Sequence, residues 1–153
     1  MIIDTSVIVA MMRREPESAA FARLIEGASV RRISAATYLE LGIVIDGGGD
    51  PASSAALDPF IADTRIRIEP VTESQARIAR TAYQRFGSGS AHPARLNFGD
   101  CFAYALAREL GEPLLFKGDD FKSTDIEIIT EPTRQKRLSE VVAAYGGGAP
   151  WPR

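Results

Sequence analysis

A chain of 153 residues with 45% apolar and 25% charged residues suffices for one globular domain with its own core. Its one cysteine, Cys101, and one histidine, His92, exclude an intrachain disulfide, a cysteine-cluster zinc site and paired-histidine RNA cleavage, and fit a reducing compartment. A formal net charge of −2 excludes a broad electrostatic grip on nucleic acid, though not a local basic rim around an acidic site.

The apolar run Met1 to Ile3 stops at Asp4, which predicts a buried strand ending in a carboxylate, with Thr5 and Ser6 leading into a helix through Val7, Ile8, Met11 and Met12. Asp4 alone reads as an N-cap. Pro16 is expected at the first position of a second helix with the stripe Ala20, Phe21, Leu24, Ile25 and Ala28. Val30 to Ile33 reads as a strand, and Ser34 as the cap of a helix to Ile45 that carries Glu40. The run Leu39 to Ile45 is apolar nearly all round, which predicts burial on most sides and a paired, neutralised or metal-bound Glu40.

Gly47 to Pro51 predicts a loop within one domain, followed by a helix from Ala52 to Ala62 disturbed at Pro59. Ile66 and Ile68 alternate with charged residues as a half-buried strand. Thr72 to Gln75 has the capping-box pattern and opens a helix with Ala76, Ala79, Tyr83 and Phe86 inward. Gly87 to Arg95 is breaker-rich and predicts a mobile surface loop.

Asp100 falls in the first turn of a helix with Ala103, Leu106, Ala107 and Leu110 on one face and Gly111 as its stop. Pro113 to Phe116 repeats the opening pattern, an apolar run and then carboxylates, here Asp119 and Asp120. Ile126, Ile128 and Ile129 make a last strand. Residues 1–131 are expected to form the domain, with 132–153 an extension holding the basic segment Arg134 to Arg137, a short helix from Leu138 to Tyr145 and a flexible tail.

Strands alternating with helices predict a mainly parallel twisted sheet with helices on both faces. Asp4, Glu40, Asp100 and Asp119 can then converge at one edge, where each pair of carboxylates at ~4 Å repels by about 4 kcal/mol at an effective dielectric near 20. Such a cluster needs a cation, and oxygen donors without cysteine or histidine favour Mg²⁺ or Mn²⁺. Metal-assisted hydrolysis of a nucleic acid phosphodiester follows. Cys101, on an apolar helical face, reads as core, and neither a G-x-S-x-G elbow nor a phosphate-loop motif is present. A phosphoryl-receiver-like or non-catalytic binding module with an acidic pocket is the alternative; the receiver pattern of paired acids after the first strand is missing at Asp4-Thr5.

Met1 to Ser6, Tyr38-Leu39-Glu40, Asn97 to Cys101 and Leu114 to Phe121 together resemble the ordered motifs of PIN-domain ribonucleases and, more narrowly, the VapC toxins of bacterial toxin-antitoxin pairs. The resemblance runs from Met1 to about Ile129. It implies a PIN-like three-layer α/β fold and a Mg²⁺-dependent endoribonuclease (Mn²⁺ possible in its place) with Asp4, Glu40 and Asp100 as the acidic core. Asp4 and Asp100 would be the direct metal ligands, with Thr5 or Ser6 orienting water. It further implies a homodimer, a VapB antitoxin crossing the active site, and structured targets such as tRNA or rRNA.

The fourth acid departs from the family pattern. Asp119 is the choice, with Asp120 the alternative, and Lys117 either faces phosphate or pairs with an acid. Arg95 and His92 are candidates for an RNA-binding rim. No stretch reaches the roughly 20 apolar residues of a membrane span, and no secretory signal opens the chain, so a cytoplasmic protein without membrane contact is expected.

Overall fold

The structure, a computed structural model, describes residues 1–129. The expected extension, its basic segment and helix, and the boundary near residue 131 lie outside the described residues. In chain order the elements are β1 (Ile2–Ile3), α1 (Thr5–Met12), α2 (Ser18–Gly27), β2 (Arg31–Ser34), α3 (Ala35–Asp46), α4 (Pro51–Asp63), β3 (Ile66–Glu69), α5 (Glu73–Phe86), α6 (Phe98–Leu110), β4 (Leu114–Leu115) and β5 (Ile128–Ile129).

The five strands form one sheet in the order β3-β2-β1-β4-β5, parallel at every pairing. Period-two alternation divides the core. Ile2 and Leu114 pack with Ala82, Phe86, Tyr104, Leu106 and Phe121 on the side of α5 and α6. Ile3, Ile33 and Leu115 pack with Ile8, Phe21, Leu41 and Ile61 on the side of α1 to α4. Because both faces are covered, β1 and β4 are apolar and buried throughout rather than alternating with polar residues.

The chain builds β2 and β3 to one side of β1 and then crosses to build β4 and β5 on the other. The gap beyond the ends of β1 and β4 is therefore a topological switch point, where open α/β sheets bind their ligands. The amide of Asp4 extends the ladder by donating to the Leu115 carbonyl at 3.0 Å.

Several expectations are corrected. Helix α2 begins at Ser18, not Pro16, because Pro16 is spent in a turn that the Ser18 hydroxyl fastens to the carbonyls of Glu15 and Ala10. Pro59 does not disturb α4. It lies on the exposed side, where the carbonyl it leaves unbonded can be hydrated, and Asp50 with Pro51 starts the helix firmly.

The inward face of α5 is Gln75, Ala79, Ala82 and Phe86, so Ala76 and Tyr83 point out. Nor is α3 buried all round: Leu39 and Ile43 are 62% and 64% exposed, since only the face carrying Thr37, Leu41 and Ile45 meets the core. Leu110 is also partly exposed at the end of α6. The segment from Gly87 to Arg95 is a surface loop as expected, with its ends joined where the Ser88 amide donates to the Leu96 carbonyl and the Leu96 amide to the Phe86 carbonyl, and with Ala94 buried.

Candidate active site

Asp4 is both the end of β1 and the N-cap of α1. Its Oδ2 accepts the Ser6 amide at 3.0 Å and the Ser6 hydroxyl at 2.6 Å. The Ser6 oxygen in turn accepts the amide of Lys117, just beyond β4, at 2.9 Å. One serine thus joins the ends of the two strands that flank the switch point.

Glu40 comes in from the second turn of α3, which Ser34 caps by accepting the Ala36 amide. It is half-buried, and its Oε2 accepts the Thr5 hydroxyl at 2.8 Å. Asp100 sits in the first turn of α6 in a reciprocal capping box: the Asn97 amide donates to its Oδ2 at 2.7 Å, and its own amide donates to Asn97 Oδ1 at 2.9 Å.

Electrostatics place these side chains in one neighbourhood. Burial pushes the Asp4 carboxyl above its ordinary range against the pull of the Ser6 bonds, and the Glu40 charge pushes the same way. Asp100 is pushed up to about 7 by burial, opposed by the Asn97 amide, and by the charges of Asp4, Asp120 and Glu40. None of the ion pairs among the described residues involves Asp4, Glu40, Asp100 or Asp120.

The other predicted site residues fall as follows. Asp119 is 88% exposed and pairs with Lys122 at 2.5 Å, whereas Asp120 is the neighbour whose charge reaches Asp100. Lys117 pairs with Glu15 and with Glu17, the latter at 3.3 Å, so of its two readings the structure shows the acid pair. Thr5 is buried on Glu40, and Arg95 is exposed at the end of its loop. His92 turns inward, its ring edge-on to Phe86 at 4.8 Å and its Nδ1 accepting the Ala94 amide. Cys101 is buried and its thiol is pushed up to about 11 by that burial, which removes it as a nucleophile.

Sequence reasoning missed Gly99 and Asn97. The Asn97-x-x-Asp100 spacing is a capping-box pattern that marked one of them; Gly99 gave no signal beyond being a helix-start glycine.

The donor chemistry fits a hard divalent cation. The side chains at hand are oxygens only, and two of them carry burial and repulsion that a cation would relieve. Among the described residues no group of three or more His, Cys, Asp or Glu side chains stands in a metal-holding arrangement. No helix of the described residues is long and apolar enough to cross a membrane.

A parallel α/β domain with carboxylates at the end of its sheet, at the switch point, has the setting in which open α/β sheets bind their ligands. A family model described as "PIN domain" matches residues 1–127. "Ribonuclease VapC28" of Mycobacterium tuberculosis is 56% identical over 127 residues, covering 83% of this chain and 96% of that one. Two solved structures share the fold. One is M. tuberculosis VapC20, described as a sarcin-ricin loop cleaving toxin, with a TM-score of 0.66 at 20% identity, covering 86% of this chain and 98% of that one. The other is a toxin-antitoxin complex from Klebsiella pneumoniae, with a TM-score of 0.64 at 14% identity, covering 86% and 97%. The chain belongs to the PIN-domain family and, within it, to the VapC ribonucleases, the toxins of VapBC toxin-antitoxin pairs.

Proposed function

We propose that the chain hydrolyses RNA phosphodiester bonds as a Mg²⁺- or Mn²⁺-dependent endoribonuclease, with Asp4, Glu40 and Asp100 as its acidic core and Asp4 and Asp100 as the metal-holding pair. The observation that carries this is a set of acids at the switch point that form no ion pair among the described residues, with Asp4 and Asp100 pushed toward the protonated form. A bound divalent ion would supply charge neutralisation, polarisation of the phosphate and a more acidic water.

The rest is done by the chain's own residues. Ser6 holds Asp4 through two bonds and keeps its carboxylate at the sheet edge. Thr5 fixes Glu40, leaving Oε1 to orient or deprotonate an attacking water. The first turn of α6 presents its dipole to the same anions. Asp120 takes the place of the fourth acid, and Asp119 remains a surface ion pair.

For partners, the reading includes a VapB-type antitoxin, supported by the solved toxin-antitoxin complex of a fold relative, and a homodimer, for which the exposed apolar side chains Leu39, Ile43, Tyr83 and Phe98 offer a surface. Structured RNA such as tRNA or rRNA is the substrate class, supported by the description of the VapC20 relative as a sarcin-ricin loop cleaving toxin, and the single cysteine, Cys101, left without a disulfide, supports the cytoplasm as the place of action. The test is cleavage of a total tRNA and rRNA pool by wild type, Asp4→Asn and Asp100→Asn. Both variants should fold and cut at background level, and undiminished cleavage in either, or in chelator, overturns the reading.

A further inference from the structure

We infer that Gly99 is a positioning residue for Glu40: the missing side chain at this one helical position is what lets the Glu40 carboxylate lie against the first turn of α6 beside Asp100. The inference rests on the nuclease reading only for its catalytic consequence. A Cβ at residue 99 would stand 2.5 Å from Glu40 Cδ and 2.7 Å from Oε2, and closer still to Oε1. Those are distances that non-bonded atoms do not tolerate, so the carboxylate occupies the volume a side chain would fill.

The backbone does not need glycine there. Residue 99 lies inside α6, is buried, and is not among the glycines with left-handed φ. Conformational freedom is therefore not the reason for glycine, and in a helix alanine is intrinsically preferred. What remains is the approach of α3 to α6. Because the obstructing group is the far end of a flexible side chain and not backbone, an added methyl would displace Glu40 and leave the fold standing.

Displacement has a defined destination in chemistry. Glu40 would give up the Thr5 hydroxyl and move from Asp4 and Asp100, so the acids would no longer share one neighbourhood. A shift of ~1 Å in a reacting group costs about a hundredfold in rate.

The experiment is a cycle of Gly99→Ala, Glu40→Asp and Glu40→Ala with the double variants, read by RNA cleavage and by the crystal structure of Gly99→Ala. Gly99→Ala should fold, cut about a hundredfold more slowly, and show the bond from Thr5 to Glu40 broken. Glu40→Asp, one methylene shorter, should restore at least part of the rate lost in Gly99→Ala, and in the Glu40→Ala background Gly99→Ala should cost nothing further. An intact bond from Thr5 to Glu40 in the variant, or the same loss with and without Glu40, overturns the inference. An inactive wild type would instead defeat the nuclease reading, and the variant's structure would still decide the position of Glu40.

Discussion

Ser6 is bonded to Asp4 twice, through its amide at 3.0 Å and its hydroxyl at 2.6 Å, both to the same oxygen. The arrangement leaves the other carboxylate oxygen of Asp4 free of Ser6 and turns one hydroxyl into a brace between the ends of β1 and β4, through the Lys117 amide.

Ser6→Ala should therefore weaken both sides of that brace. It removes one bond to Asp4 and leaves the Lys117 amide without its acceptor, a loss of roughly 1–2 kcal/mol in stability. Each 1.4 kcal/mol of lost placement at Asp4 is about tenfold in rate. Urea unfolding and cleavage kinetics measure the two effects, and wild-type values in both would remove Ser6 from the site.

Acidity at the site links pH to stability. Asp100, lifted to about 7, and Asp4, also lifted, hold protons in the folded state that the unfolded chain releases near its ordinary value of 3.8. The folded state binds more protons, so without divalent ions stability falls as pH rises from the ordinary carboxyl range through about 7 and then levels. Melting temperature in chelator should decline between pH 5 and 8, less so in Asp100→Asn, and millimolar Mg²⁺ should flatten the decline by binding the ionised folded form. Cleavage runs the other way and increases through the same window. A melting temperature independent of pH in wild type would contradict the raised acids.

Asp119 and Asp120, adjacent in sequence, should separate in function. Asp120→Asn removes a charge that bears on Asp100 and should slow cleavage by about tenfold or more, the equivalent of one 1.4 kcal/mol step. Asp119→Asn breaks a surface pair with Lys122 and should leave both rate and stability within error. The reverse order in a cleavage assay would return the fourth position to Asp119.

Glu112 ties the sheet together away from the acids. Burial works to raise its pKa, but the Met1 ammonium at 2.5 Å and the Arg32 guanidinium at 2.9 Å outweigh it and hold the carboxyl below its usual range. A depressed carboxyl stabilises the fold above its unfolded pKa and loses that contribution as pH falls through its folded one. Glu112→Gln should cost about 1–2 kcal/mol at pH 7 with cleavage per folded molecule unchanged, and the difference from wild type should close toward pH 3. A cost that persists at pH 3 would mean packing, not charge.

Local chemistry was legible in the chain. An apolar run broken by Asp4, a serine before α3, a threonine before α5 and a glycine after α6 each mark a boundary by a rule acting over a few residues, and each boundary stands within a residue or two of its expected place. What escaped depends on where helices meet. The outward turn of Leu39, Ile43 and Tyr83, the acid partners of Lys117 about 100 residues away, and the contact of Gly99 with Glu40 are set by packing across elements that no local pattern encodes. Glu40, expected to be paired, neutralised or metal-bound, accepts the Thr5 hydroxyl and enters no ion pair among the described residues.

Asn97 and Asp100 fasten each other across the opening turn of α6, so the acid that faces the cluster is also the latch of a helix. A change at either residue therefore reaches two things at once, the helix start and the acid that faces the cluster. One carboxylate thus answers to two constraints.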